Sequence, residues 1–125
     1  MANQVTIAGS MMGVMEGLLY AKQSGIDLQA YYDCISKGGA QSKSLDLYTP
    51  RILKNDMNPG FFVKHFVKDL GIALDEAREM NLALPGLALA NQLYISLQAH
   101  GEGDLGTQAL ILALARLSNV DFYKA

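Results

Sequence analysis

Apolar positions recur every three to four residues along the chain, and nowhere do they alternate with polar ones. A recurrence near 3.6 residues marks amphipathic helices, whereas half-buried strands repeat at about 2. The first such segment runs from near the start to about Ser24, with Ala8, Met11, Met12, Met15, Leu18 and Leu19 on one broad face. Ile7, Val14 and Ala21 cover much of the rest, which predicts a helix buried on nearly all sides. Gly9, Gly13 and Gly17 fall every fourth residue and leave one stripe without side chains. Such a stripe lets another backbone approach closely, inside a domain or across a subunit interface.

Gly25 suits the position just past a helix C-terminus. Asp27 is then the expected N-cap of a second helix, with Ile26 and Tyr31 as its hydrophobic staple. That helix is expected to reach Lys37 and stop at Gly38-Gly39. A short third helix follows around Ser44 to Lys54, limited or broken by Pro50. Asn58-Pro59-Gly60 predicts a turn in which glycine supplies positive φ. A fourth helix is expected from Val63 to Met80, with a core stripe of Phe66, Leu70, Ala73, Ala77 and Met80. Pro85 fits the first turn of a fifth, which carries Leu89, Leu93 and Leu97 and ends near His100-Gly101. The loop Gly101-Glu102-Gly103-Asp104 leads to a last helix from about Thr107 to Leu117. The pattern predicts an all-α domain of about six helices, with no strand, repeat or linker.

Composition narrows the function classes. At 125 residues the chain fits one domain with a real core, and its 50% apolar content rules out a disordered tail. A net charge of −2 argues against nucleic acid and against electrostatic attachment to a membrane. The apolar run from Val5 to Tyr20 lacks a basic flank and is interrupted by Glu16, so neither a signal peptide nor a membrane span is expected. The single cysteine, Cys34, cannot form an internal disulfide and fits a reducing compartment; the expected localisation is cytoplasmic. Within its helix Cys34 reads as a small buried hydrophobe.

No phosphate-binding glycine loop and no metal-ligand cluster is present in the sequence, so no metal is expected. His65 and His100 lie on different elements without spaced partners and read as surface or capping residues. Glu16, a lone charge among apolar residues, reads as a buried carboxylate that needs a backbone N–H or lysine partner, or else as a group beside a site. His65, Lys68 and Asp69 stand at i, i+3 and i+4; Lys68 faces away from the core stripe and Asp69 flanks it. On pattern alone this is a solvated helix face, and the alternative is a polar patch shown to another domain, with Phe61 bordering it by way of the turn. Asn3 and Gln4 open the first helix, where Asn3 serves as an N-cap or the amide pair holds a carboxylate or hydroxyl ligand.

Four stretches carry a family resemblance: Met1-Ala2-Asn3-Gln4 with the following helix through Met15-Glu16-Gly17; Lys37-Gly38-Gly39-Ala40; Phe61 through Phe66-Val67-Lys68-Asp69-Leu70; and Gly101-Glu102-Gly103-Asp104-Leu105. In order and spacing they resemble the β-hydroxyacid dehydrogenases, the relatives of 3-hydroxyisobutyrate dehydrogenase, tartronate semialdehyde reductase and plant glyoxylate reductase. The resemblance spans the whole chain. It implies that residues 1–125 form the helical C-terminal domain, of the 6-phosphogluconate dehydrogenase type, which serves substrate binding and dimerisation. It further implies reversible hydride transfer between NAD or NADP and a small 3-hydroxy acid, or reduction of a related semialdehyde. The family's catalytic lysine would fall immediately before Met1 and its Rossmann domain further upstream, so no catalytic residue is expected in this chain, and the chain alone is expected to be inactive.

By the same resemblance, substrate binding falls to Asn3 or Gln4. The family amide four residues after the lysine corresponds to Gln4, where many relatives carry Asn, and Asn3 matches a position that is often Asn. Lys68 matches a lysine that reaches the nicotinamide side of the cofactor, and Phe61 and Asp69 match cleft-lining positions. The resemblance turns Lys68 from a solvated face into one directed at the nucleotide-binding domain. The implied partners are that Rossmann domain, the small substrate and further copies of the protein. The alternative is a free-standing helical interaction module, which a start codon with no glycine-rich stretch ending in lysine upstream would favour.

Overall fold

A computed structural model describes residues 1–124. Six α-helices follow in order: α1 (Ala2–Gln23), α2 (Leu28–Ile35), α3 (Lys43–Leu53), α4 (Val63–Glu79), α5 (Pro85–Ala99) and α6 (Leu110–Leu117), the last preceded by a 3₁₀ turn over Thr107–Ala109. Among the described residues the extended pairing is limited to one antiparallel bridge between Phe62 and Gly106. Helix α1 runs through the middle and packs against α3, α4, α5 and α6. It buries Ala8, Met11, Met15, Leu18 and Ala21, a spacing of three to four that keeps them on one face. Burying each large side chain among these contributes about 1.5–3 kcal/mol. Phe66 and Leu70 of α4, Tyr94 and Leu97 of α5, and Leu110 and Ile111 of α6 complete the centre of the core.

Five of the six α-helices, all but α2, end in the same way. After α1 the N–H of Ile26 reaches Ala21 O at 3.0 Å and that of Gly25 reaches Lys22 O at 3.1 Å, with Gly25 at φ 78°. This paired closure requires a left-handed residue just past the helix. Gly101 fills that position after α5, and Asn55, Asn81 and Asn119 fill it after α3, α4 and α6, at φ 53°, 55° and 54°. At the start of α2 Asp27 caps by accepting from the Ala30 N–H, and at the start of α3 Ser42 accepts from the Leu45 N–H.

Several expectations are corrected. Helix α1 is not enclosed on nearly all sides: Gly9, Gly13, Glu16 and Tyr20 face outward, so Glu16 is an exposed carboxylate without a burial cost. The helix is apolar nearly all round, so the pattern carried little directional information. No backbone approaches Gly9 or Gly13, where an added Cβ would meet nothing within 4 Å, and only Gly17 is crowded, by the Tyr31 hydroxyl. Cys34 lies exposed on the outer side of α2, a helix that buries none of its residues fully. Met80, expected in a core stripe, is 65% exposed because it caps the C-terminus of α4 beyond the core, and Leu89 is 55% exposed because it points to the outer side of α5, away from the buried Leu87 and Ala90. Helix α3 continues through Pro50 to Leu53. Gly60 does not take positive φ; a Cβ there would lie 3.0 Å from the Arg51 guanidinium, the mobile end of a long side chain, so neither turn geometry nor a fixed neighbour requires the glycine.

Candidate functional site

The N-terminal turn of α1, the N-terminal half of α4 and the connector before α4 converge. Asn3 and Gln4 lie in the first turn of α1, with Asn3 inside the helix and Met1 at the cap position, so Asn3 is not an N-cap. The Gln4 Nε2 donates to Asp69 Oδ2 of α4 at 3.0 Å, and the Asn3 Nδ2 donates to Gln4 Oε1 at 2.7 Å. A carboxylate is acceptor-only when ionised, so Asp69 fixes which end of the Gln4 amide points inward, and Gln4 in turn orients Asn3. Beside this relay lies a cavity of about 220 Å³. Asn3, Gln4 and Ile7 of α1, Phe61 and Phe66, Tyr48 of α3 and the Thr107 segment line it.

Phe61 is held from below by aromatic edges. Its ring meets Phe66 at 5.9 Å and 88°, and Phe66 meets Tyr94 at 5.0 Å and 84°. These T-shaped contacts bring ring edges against ring faces, the favoured arrangement for aromatic quadrupoles. The fully buried Tyr94 hydroxyl donates to Thr107 O at 3.0 Å. Burial pushes its pKa well above the usual tyrosine value, and the nearby Tyr48 adds to the rise. The chain around Phe61 is fixed as well. The N–H groups of Val63 and Lys64, which open α4 and lack partners within the helix, reach Leu105 O and Gly103 O at 2.9 Å each. The Thr107 N–H donates to Phe61 O at 3.0 Å. The loop from Gly101 to Leu105 thus acts as the cap of α4, and the Lys64–Asp104 ion pair at 2.6 Å adds to the same junction.

Lys68 stands one residue before Asp69 on α4, exposed and outside the cavity wall. No carboxylate lies within ion-pairing distance of it among the described residues. His65 is exposed and stacks beside Phe61 and Phe62, and the His100 Nδ1 lies 2.8 Å from Ser96 O at the end of α5, a capping role. The structure therefore brings Asn3, Gln4 and Phe61 together around one cavity, ties Asp69 to them, and leaves Lys68 on the adjacent outer face. Tyr48 and Thr107 were not marked by the sequence, because both sit where a core residue is expected. Tyr48 is only 9% exposed and carries the Arg51 guanidinium 6.0 Å from its ring centre. Among the described residues no three His, Cys, Asp or Glu side chains are grouped to hold a metal ion. Amides and aromatic rings dominate the wall, an arrangement suited to binding and orienting a small polar molecule.

Residues 1–114 match the family described as the NAD-binding domain of NADP-dependent 3-hydroxyisobutyrate dehydrogenase. The chain belongs to this family. A probable 3-hydroxyisobutyrate dehydrogenase-like protein of Arabidopsis thaliana, named as mitochondrial, is 65% identical over 120 residues, covering 96% of this chain and 36% of that protein. The 2-hydroxy-3-oxopropionate reductase of Escherichia coli is 34% identical over 118 residues, covering 94% of the chain and 40% of that enzyme. The crystal structure of a 3-hydroxyisobutyrate dehydrogenase from Salmonella typhimurium superposes with a TM-score of 0.84 at 25% identity, over 89% of this chain and 39% of that one. The chain thus spans well under half the length of these relatives. The all-α architecture expected from the sequence is the one found, and membership in a dehydrogenase family agrees with the resemblance drawn from the four stretches.

Proposed function

We propose that residues 1–125 are the helical substrate-side domain of an NAD- or NADP-dependent dehydrogenase acting on a small 3-hydroxy acid or the related semialdehyde, with a Rossmann domain as its partner. The observation that carries this reading is the Asn3–Gln4–Asp69 relay opening on the cavity beside Phe61. The amides offer both donors and acceptors to a hydroxyl or carboxylate, and Asp69 holds them in register before a substrate arrives. Asn3, the more exposed of the two, is the one with polar capacity left after the relay is formed, and it contacts the substrate while Gln4 orients it. Phe61 closes one side and excludes water from the bound molecule.

Lys68 fits a nicotinamide nucleotide. It is a cationic donor on a rigid helix, free of any carboxylate within ion-pairing reach among the described residues, and can hydrogen-bond ribose hydroxyls or a carboxamide oxygen. The nucleotide, when bound, supplies the hydride-accepting ring; this chain supplies binding and orientation. The general acid–base group and most of the nucleotide site belong to the partner domain, so residues 1–125 alone have no turnover. Oxidation of 3-hydroxyisobutyrate with either nucleotide, assayed on the protein that carries both domains and on residues 1–125 alone, tests this. Turnover by residues 1–125 alone, or none by the two-domain protein with any small 3-hydroxy acid or semialdehyde, overturns it.

Self-association belongs to the same reading. Helix α5 carries no charged residue, and Leu89 and Ile95 on its outer side are 55% and 39% exposed. Sedimentation of the two-domain protein decides between an oligomer and a monomer. For the compartment, the lone cysteine supports the cytoplasm, while the Arabidopsis relative is by its name mitochondrial; fractionation of the native protein separates the two. No helix among the described residues is long and apolar enough to cross a membrane.

A further inference from the structure

The connector between α3 and α4 has no regular structure, yet it delivers Phe61 to the cavity. Four of its carbonyls, those of Asp56, Met57, Asn58 and Phe61, accept hydrogen bonds from three consecutive residues, Gly106, Thr107 and Gln108. The backbone N–H of Gly106 reaches Met57 O at 2.8 Å, and that of Thr107 reaches Phe61 O at 3.0 Å. Gln108 supplies the other two from its side chain: Nε2 donates to Asp56 O at 3.0 Å and to Asn58 O at 2.9 Å. Those two acceptors settle the orientation of the amide, because the flipped form would set an oxygen against two carbonyl oxygens.

The arrangement carries a cost. Gln108 is fully buried and its Oε1 has no hydrogen-bond partner. An unpaired buried acceptor is unfavourable, and a methionine of similar length would avoid it. Room for that oxygen exists only because residue 106 is glycine: a Cβ there would run into Gln108 Oε1 and approach Asn58 O to 2.9 Å. Gln108 thus leaves one buried acceptor unpaired while aiming its two donors at the connector, and Gly106 supplies the space that lets it do so. Gln108 does not line the cavity; Phe61, three residues past the second clamped carbonyl, does.

From this geometry we infer that Gln108 is a positioning residue, which clamps the α3–α4 connector and so sets the Phe61 wall of the substrate cavity. The inference rests on the reading of Phe61 as part of the substrate site. Two measurements test it. In the unaltered chain the two side-chain amide protons of Gln108 exchange with solvent about a hundredfold more slowly than those of the exposed Gln92. Equal exchange overturns the clamp, and this measurement needs no variant to fold. In the two-domain enzyme Gln108→Met raises KM for the hydroxy acid about tenfold while kcat and the KM for the nucleotide stay within about threefold. The same variant loses backbone protection at Gly106 and Thr107 but keeps it at Leu70 and Leu97 in the core. A merely structural role would loosen all four together, and that result overturns the inference. Phe61→Ala separates the two levels. If it raises KM and Gln108→Met does not, the inference fails and the site reading stands; if Phe61→Ala leaves KM unchanged, the reading of Phe61 fails and the inference falls with it.

Discussion

The Gln4 amide donates to the Asp69 carboxylate at 3.0 Å across 65 residues of sequence, and this one contact ties the start of α1 to the middle of α4. It also decides which face of the Gln4 amide is offered to Asn3. Asp69→Asn preserves shape and removes the charge, so the Gln4 amide loses its fixed orientation. In the two-domain enzyme the expected result is a rise of about tenfold in KM for the hydroxy acid, with little change in the KM for the nucleotide. A hydrogen bond to a charged, half-buried partner contributes about 1.5–3 kcal/mol at most. Asparagine keeps a neutral acceptor and so loses only part of this, and the thermal midpoint of residues 1–125 falls by a few degrees; steady-state kinetics beside calorimetry check both halves.

The carboxyl-terminal segment is fastened by a second long-range contact with a pH signature. The Tyr123 hydroxyl donates to Ile52 O at 2.7 Å, and burial pushes its pKa up to about 12 from 10.0. The folded state therefore holds the phenol proton more tightly than the unfolded chain. Its contribution is fully present below about pH 10 and is lost as pH rises toward 12. Tyr94, also raised by burial, acts in the same direction. Denaturant titrations at pH 9, 10 and 11 are expected to show a falling midpoint, taking the ordinary phenol value of about 10 as the onset. Tyr123→Phe loses about 1 kcal/mol at neutral pH and has a shallower decline, the remainder belonging to the other raised tyrosines, Tyr94 and Tyr32.

Three helices end on asparagine in the left-handed region, which β-carbon-bearing residues enter only at a cost of about 1–2 kcal/mol. Asparagine is the least penalised of these and glycine has no penalty. Asn81→Gly is expected to leave stability unchanged or raise it slightly, and Asn81→Ala to lower it by about 1 kcal/mol. Chemical denaturation of the pair measures the difference. Asn81 is exposed and does not line the cavity beside Phe61, so neither variant is expected to alter the KM for the hydroxy acid.

Those asparagines also show where the sequence was legible. The glycines at 25 and 101 marked their helix ends at once, whereas Asn55, Asn81 and Asn119 did the same work unread, because asparagine occurs in loops for many reasons. Helix existence followed from periodicity, since α3, α4 and α6 each have a distinct apolar side, while α5 is apolar on its outer side as well and was marked by Pro85 and the Leu89, Leu93, Leu97 spacing. Helix facing failed in α1, where apolar residues surround the axis and Glu16 had no obvious inside or outside. For the site, resemblance marked Asn3, Gln4, Phe61, Lys68 and Asp69, and the fold gathers four of them around or against one cavity. Tyr48 and Gln108 stayed hidden. Each contributes through contacts made between distant segments, which no local pattern encodes.

Phe61 and Phe66 are neighbours in one aromatic ladder and both touch the cavity, but they differ in burial, and their alanine variants are expected to separate binding from stability. Phe66 is 2% exposed, and truncation leaves a cavity under Tyr94 costing about 3–5 kcal/mol. Phe61 is 37% exposed, so its truncation forfeits partial burial and one edge contact with Phe66, roughly 1–2 kcal/mol together. Urea denaturation of residues 1–125 should therefore place Phe66→Ala far below Phe61→Ala. In the two-domain enzyme the order reverses for binding: Phe61→Ala opens the cavity to water and raises KM for the hydroxy acid, and Phe61→Leu restores much of it. Phe66→Ala, assayed well below its lowered unfolding midpoint, keeps Phe61 on its clamped connector and changes KM less. Equal effects of the two variants on KM would remove the special place of Phe61 as the cavity wall.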